Sequence, residues 1–341
     1  MSFGLIRLAN IKQIGKLAQR LMQQKVPDDI QLHLCIYHSR HPLIVRAEIE
    51  RHLDAVLSRG NDQAVWQQSV VQDPLDTSAA KNHLFIVLAS PVAEVGRDHD
   101  YSWAIVEPSS MRAIIQLAGR VQRHRKQAVS SPNILIWQKN IRALNSLSPA
   151  YCRPGFETKK FTLGNHDLSD ILLPHQYQIP SAISRIKRSE ELHPNDNLVD
   201  LEHAQLKRTL FNAEQSSTVA ANLFWEKNIH WSGEVQAHTR FRQSSPEIDY
   251  CLMGDSEDWG FYNLSDYMAP KRDSFQKIEL VDNPQIRSWL VADVFSLCEM
   301  KAEREGRELG DIQKQFACFS VPEGSKNNTQ KPHYHPWLGV F

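Results

Sequence analysis

The first 140 residues alternate between two hydrophobic periods, and that alternation leaves few folds open. Residues 3–10 (FGLIRLAN) form an apolar run of strand length, and 11–24 place Ile14, Leu17, Ala18 and Leu21 on one face of a helix. A second strand is expected at 30–37, where Ile30, Leu32, Leu34 and Ile36 alternate. A helix follows over about 42–58, with Pro42 in its first turn and Ile49, Leu53, Val56 and Leu57 as its stripe. Beyond a polar segment (60–82) the pattern predicts strands at 83–90 and 101–107, a helix from Pro108 to about Gln122, and a strand at 133–138. Strands joined in turn by helices make an α/β domain: a parallel sheet with helices on both faces.

The rest of the chain is less regular. Residues 146–197, rich in Pro, Ser, Asn and His, are expected to link a domain at 1–145 to a C-terminal α+β domain at 198–341. Within the latter, 198–228 reads as one or two helices, 235–265 as short strands and turns, and 285–304 as an amphipathic helix. Trp225, Trp231, Trp289 and Trp337 are expected in the core. Arg240-Phe241-Arg242 sets an aromatic ring between two guanidiniums, an arrangement suited to single-stranded nucleic acid and equally to an exposed turn.

Composition excludes several classes. Thirty-nine basic residues balance 39 acidic ones, so a nucleic-acid contact must rest on a local patch. The apolar run 84–92 is too short to span a bilayer, and the N-terminus lacks the pattern of a signal peptide, so no membrane partner is expected. Five scattered cysteines, odd in number and never spaced CxxC, read as free thiols in a reducing, cytoplasmic setting. No metal site is expected: His99-Asp100, His166-Asp167 and His333-Tyr334-His335 lack further ligands at suitable spacing.

The stretch 83–125 carries the functional argument. At helical spacing Arg112, Gln116, Gly119, Arg120 and Arg123 fall within roughly a 100° arc, while Met111, Ile114, Ile115, Leu117, Ala118 and Val121 face the other way. Arginine forks grip phosphate through paired, charge-assisted hydrogen bonds. A solvated basic face has the same spacing. Gln116-Leu117-Ala118-Gly119-Arg120-Val121-Gln122-Arg123 resembles helicase motif VI (QxxGRxxR), and Ser90 through Asp98 (SPVAEVGRD) resembles motif V. Their order and separation are those of superfamily 2 helicases. His38-Ser39-Arg40, followed by Arg46, resembles more weakly a nucleic-acid-contacting motif of the same lobe. The phrases EVGRDHD, VEPSSMR and IQLAGRV, with GLIRLANI at the start and HPWLGVF at the end, resemble the helicase-nuclease of type I-F CRISPR systems, C-terminal half.

That resemblance implies a second RecA-like lobe with an accessory domain, part of an ATP-dependent 3′–5′ single-stranded DNA helicase and nuclease acting in CRISPR interference. Arg120 and Arg123 would act as arginine fingers on the ATP phosphates. Gly96, Asp98 and Gln116 would meet the nucleotide, with Asp98 at the ribose. Ser39, Arg40 and Ser90 would hold DNA phosphates, which position a strand without reading its sequence. The implied partners are single-stranded DNA, the N-terminal helicase/nuclease half, an RNA-guided surveillance complex and, less directly, CRISPR adaptation proteins, all in a bacterial cytoplasm. The sequence has no GxxxxGK[ST], no DExH-like box and no nuclease motif, so ATP would be shared with a first lobe and Mg²⁺ held through it. Two rivals follow from these gaps. One is a stand-alone lobe that binds DNA or a partner without turnover; the other is an α/β domain whose basic helix binds another phosphorylated ligand.

Overall fold

A computed structural model describes residues 1–59, 62–94, 96–125, 128–211, 246–255, 257–323 and 331–341. Trp225, Trp231 and the Arg240-Phe241-Arg242 triplet lie outside the described residues. The chain forms two compact units: one comprises 1–106, 117–135 and 246–341, the other 107–116 and 136–245. These units divide the chain differently from the expected 1–145, 146–197 and 198–341.

The first unit is built on β1 (Ser2–Arg7), α1 (Ile11–Met22), β2 (Ile30–Tyr37), α2 (Leu43–Leu57), α3 (Ser69–Asp76), β3 (Asn82–Ala89), β4 (Trp103–Val106) and β5 (Ile134–Ile136), while α4 (Met111–Ala118) falls mostly in the second. From the C-terminal region come β6 (Glu247–Gly254), β7 (Trp259–Asn263), β8 (Lys271–Asp273), β9 (Gln276–Lys277), β10 (Ile286–Ser288), β11 (Cys318–Pro322), β12 (His333–His335) and β13 (Gly339–Val340). A six-stranded sheet runs β10-β2-β3-β1-β4-β5. The β10–β2, β2–β3, β3–β1 and β1–β4 pairings are parallel, as the alternation of strand and helix requires. Leu5, Leu34, Phe85 and Leu88 have no exposed surface, the condition of a central parallel strand covered on both faces.

The C-terminal region is woven into this sheet. β10 adds to its edge, with Ile286 opposite Leu32, and Trp289 Nε1 donates to the carbonyl of Val70 at 2.8 Å. Trp337 Nε1 donates to Leu34 O at 3.2 Å, so Trp289 and Trp337, 3% and 5% exposed, are core as expected. The helix expected at 285–304 starts later, at Val294, because 286–288 is a strand and the Asp293 carboxylate caps the Ser296 amide. β11, β6, β7 and β8 make a separate antiparallel sheet around Phe261, Phe275 and Phe319.

In the second unit, residues from the segment expected to link two domains share in a buried core. Met111, Ile114, Ala150, Tyr151, Leu163, Leu168, Ile171, Leu198 and Leu201 form one buried cluster. The irregular chain around it is organised by Glu157, whose carboxylate accepts from the amides of Ala150, Tyr151 and Leu163 (2.7, 2.7 and 3.1 Å) and pairs with His166 Nε2 at 2.8 Å. Four partners on one buried carboxylate do the work of the missing secondary structure.

Candidate nucleotide and nucleic-acid edge

The candidate residues of the first unit gather where β1, β2 and β3 end, the edge at which open parallel sheets bind ligands. β2 leads into the turn at Ser39 and Arg40 before α2. β3 leads into Ser90 and a 3₁₀ turn, Pro91–Glu94. Buried Ser90 accepts the Val92 amide at 3.5 Å and gives its own amide to Tyr37 O at 3.1 Å. Arg7, at the end of β1, is fully buried and meets the Glu94 carboxylate at 2.5 Å. A buried pair of this kind fixes geometry.

Gly96 has φ +74° with open space where a side chain would stand. Its need for glycine is therefore conformational. Asp98 is 61% exposed and faces Arg123 Nε at 2.5 Å and His124 Nε2 at 3.2 Å. The proposed ribose acceptor and one proposed phosphate donor are thus neighbours.

The arginine segment departs from expectation. The helix expected from Pro108 to Gln122 covers only Met111–Ala118. It starts late because the Ser110 hydroxyl accepts the Ala113 amide at 3.0 Å as a cap. It stops at Gly119: the amides of Arg120 and Val121 bond back three residues, Val121 bridges to Tyr101, and Gln122 takes φ +48°. Arg112 and Gln116 remain on α4, but Arg120 and Arg123 leave from the turn that follows, so no single helix face carries the fork. The two arginines also differ. Arg120 is 9% exposed and turns inward, donating Nη2 to Glu94 O at 3.0 Å and Nη1 to Arg97 O. Burial, with Arg123 nearby, lowers its pKa, yet an arginine stays charged. The Arg123 side chain is 42% exposed.

Arg40 is partly buried, which lowers its pKa against the opposing charge of Glu247. Its carbonyl accepts the Val340 amide at 3.1 Å, and His38 Nε2 lies 2.8 Å from Leu338 O, so the C-terminal strand braces this turn. Ser39 is exposed.

Sequence reading overlooked the groups that hold these loops. Arg97 meets Asp54 at 3.0 Å and also Glu50, both on α2, and His99 Nε2 meets Asp54 at 2.9 Å. Asp100, without exposed surface, takes Arg125 at 2.8 Å and the His124 amide at 3.1 Å. The visible signal was the alternation of sign in Arg97-Asp98-His99-Asp100 and the acidic pair one helical turn apart at 50 and 54. Among the described residues no group of three His, Cys, Asp or Glu is placed to hold a metal ion, and no helix is long and apolar enough to cross a membrane.

Residues 1–126 match the family model for the CRISPR-associated nuclease/helicase Cas3, C-terminal, and 246–341 match that for the CRISPR-associated Cas3 subtype I-F/YPEST-like C-terminal domain. The CRISPR-associated nuclease/helicase Cas3 subtype I-F/YPEST of Pseudomonas aeruginosa is 41% identical over 99% of this chain. Its counterpart in Pectobacterium atrosepticum is 38% identical over 100%. The chain spans about a third (32%) of the length of each. Among solved structures, T. fusca Cas3–AMPPNP aligns with 95% of this chain and 32% of that one, at TM-score 0.46 and 14% identity. Both family models and both relatives agree, and the chain belongs to the Cas3 family of subtype I-F/YPEST, matching its C-terminal part.

Proposed function

We propose that this chain supplies the second lobe of an ATP-driven 3′–5′ single-stranded DNA helicase and nuclease that degrades foreign DNA in type I-F CRISPR interference. The observation that carries the reading is the exposed pairing of Asp98 with Arg123 on adjacent loops at the sheet's ligand-binding edge. An acceptor and a guanidinium so placed fit the ribose and phosphate of one nucleotide. Arg123 is the arginine finger, and Arg120 keeps the loop in shape behind it. Gly96 gives the loop its turn, and Gln116 lies on α4 just before it. Ser39, Arg40 and Ser90 hold the phosphates of the DNA strand. ATP bound here supplies a phosphoryl group whose transfer builds negative charge, and a guanidinium stabilises that charge. The remaining nucleotide contacts and Mg²⁺ belong to a first lobe.

The partners are that N-terminal helicase/nuclease part, single-stranded DNA and an RNA-guided surveillance complex, with adaptation proteins as further candidates. Free thiols at all five cysteines suit a reducing bacterial cytoplasm. One observation favours the rival, a binding module without turnover: Arg120 is engaged by the chain's own carbonyls.

The test is to combine this chain with the N-terminal part of a relative and measure DNA-stimulated ATP hydrolysis. Activity should emerge on mixing and fall about 10³-fold or more with Arg123→Ala, the loss typical of an arginine finger. DNA binding with a steep salt slope but no hydrolysis in any mixture would favour the binding module.

A further inference from the structure

Residues 97–100 alternate in direction as well as in charge. Arg97 and His99 reach to α2, where Glu50 and Asp54 receive them. Asp98 and Asp100 reach the opposite way, to Arg123, His124 and Arg125. Side chains that alternate along extended backbone produce this pattern. Four consecutive residues therefore tie α2 to the arginine segment.

Backbone bonds run alongside the side-chain ties. The Asp100 amide donates to Leu57 O, the last residue of α2, at 2.9 Å. The Tyr101 amide donates to Arg120 O at 2.8 Å, and the Gln122 amide returns to Tyr101 O at 2.9 Å. The centre of the arrangement is Arg97. Its guanidinium spans two carboxylates one helical turn apart, and its carbonyl accepts Arg120 Nη1. The grip on α2 is itself braced, since Tyr37 Oη donates to Glu50 at 2.9 Å and His99 shares Asp54. A planar fork with five donors can bridge two carboxylates; a lysine ammonium is a single point of charge.

We propose that Arg97 is a positioning residue for nucleotide turnover: clamped to Glu50 and Asp54, it presents its carbonyl to Arg120 and so fixes the loop that carries Asp98 and Arg123. It touches neither nucleotide nor DNA. Because α2 begins just after Ser39 and Arg40, the same clamp joins the turn assigned to DNA to the loop assigned to ATP. This inference rests on the functional reading above for its catalytic consequence, but its structural content stands on these contacts alone.

The test uses Arg97→Ala, Arg97→Lys and the double variant Glu50→Gln/Asp54→Asn, with two readouts. In this chain without a partner, amide hydrogen exchange at Tyr101 and Gln122 should quicken about tenfold in Arg97→Ala, as local opening becomes easier, while amides of β2 and β3 keep their protection. In the mixture with the N-terminal part, kcat for DNA-stimulated ATP hydrolysis should fall by about 10- to 10²-fold, with KM for ATP changed far less, as misplacement of a reacting group predicts. Arg97→Lys should recover part of both, and adding Arg97→Ala to Arg120→Ala should cost little more than Arg120→Ala alone.

Unchanged exchange at Tyr101 and Gln122, additive losses, or a full kcat per folded molecule would each overturn the proposal. If Arg97→Ala does not fold, Arg97→Lys and the Glu50/Asp54 pair carry the same two readouts. A wild-type mixture that hydrolyses no ATP counts against the helicase reading, and the exchange measurement then decides on Arg97 by itself.

Discussion

Arg120 donates its Nη2 to the carbonyl of Glu94 at 3.0 Å, across a loop that carries the candidate nucleotide contacts. A second bond, to the carbonyl of Arg97, completes the hold. Arg123, three residues on, pairs instead with Asp98, whose side chain is 61% exposed. Two arginines of one motif should therefore separate cleanly in stability. Arg120→Ala leaves two carbonyls without their charged donor and should destabilise the chain by about 1–3 kcal/mol. Arg123→Ala breaks an exposed pair and should stay within about 0.5 kcal/mol of wild type. Urea unfolding of the two variants checks this, and equal losses would contradict the division of labour.

The strands were legible because fully buried parallel strands are nearly continuous apolar runs: β2 occupies the 30–37 expected for it. The end of α4 was obscured because QxxGRxxR itself has helical spacing, so the wheel ran on through Gly119, a residue that also reads as a stop. β10 is three residues long, too short to show a period, and its partner β2 lies some 250 residues earlier in sequence. The second unit hid for a different reason. Glu157 gathers backbone amides, and amides leave no pattern in a sequence. In the site, motif spacing marked Gly96, Asp98 and Arg123, but the grip of Arg97 and His99 on Glu50 and Asp54 joins residues 43 to 47 positions apart.

Gly15 tests how firmly the chain's last residue is seated. Inside α1 an alanine would be favoured over glycine by about 1 kcal/mol. A Cβ there would lie 2.3 Å from the Phe341 ring, and Phe341 is held at both backbone ends by His333 (3.0 and 3.1 Å). The ring cannot step aside freely, so Gly15→Ala should destabilise by about 1–3 kcal/mol, the usual range for overpacking. Gly15→Ala on a Phe341→Ala background should instead stabilise. Thermal unfolding of the four members of this cycle gives the sign directly.

Acid should weaken the first unit through His33. Its Nε2 lies 3.0 Å from His83 Nδ1, and His83 Nε2 lies 3.0 Å from Ala80 O, a chain that works when both rings are neutral. Burial first, then His83 and Arg287, bring the pKa of His33 down to about 4. A group depressed in the folded state contributes stability above its ordinary pKa of 6.5 and loses it as pH falls toward 4. His33→Phe should thus be less stable than wild type at pH 7, with the gap narrowing steadily between pH 6.5 and 4. Urea midpoints across that window check the slope; a constant gap would mean that His33 does not titrate with unfolding.

Glu202 should give the second unit the opposite slope. Its carboxylate, without exposed surface, accepts the Met111 amide at 2.5 Å and faces Arg185 at 2.9 Å. Burial is the dominant influence and outweighs Arg185 and the amides, pushing the pKa up to about 7 from 4.5. Between those values the unfolded chain has released a proton that the folded chain keeps, so stability must fall as pH rises from 4.5 through 7. Each unit of difference corresponds to about 1.4 kcal/mol, which makes this an effect on the order of a few kcal/mol. Glu202→Gln keeps an oxygen for the Met111 amide but cannot ionise. At pH 5 it stands in for a carboxyl that the fold keeps protonated, so the variant should lie close to wild type there and gain on it steadily toward pH 8. Hydrogen exchange at residues 111 and 198–201, followed across that range, confines the measurement to this unit. Parallel pH profiles for wild type and Glu202→Gln would show that the carboxylate is ionised throughout, with Arg185 outweighing burial.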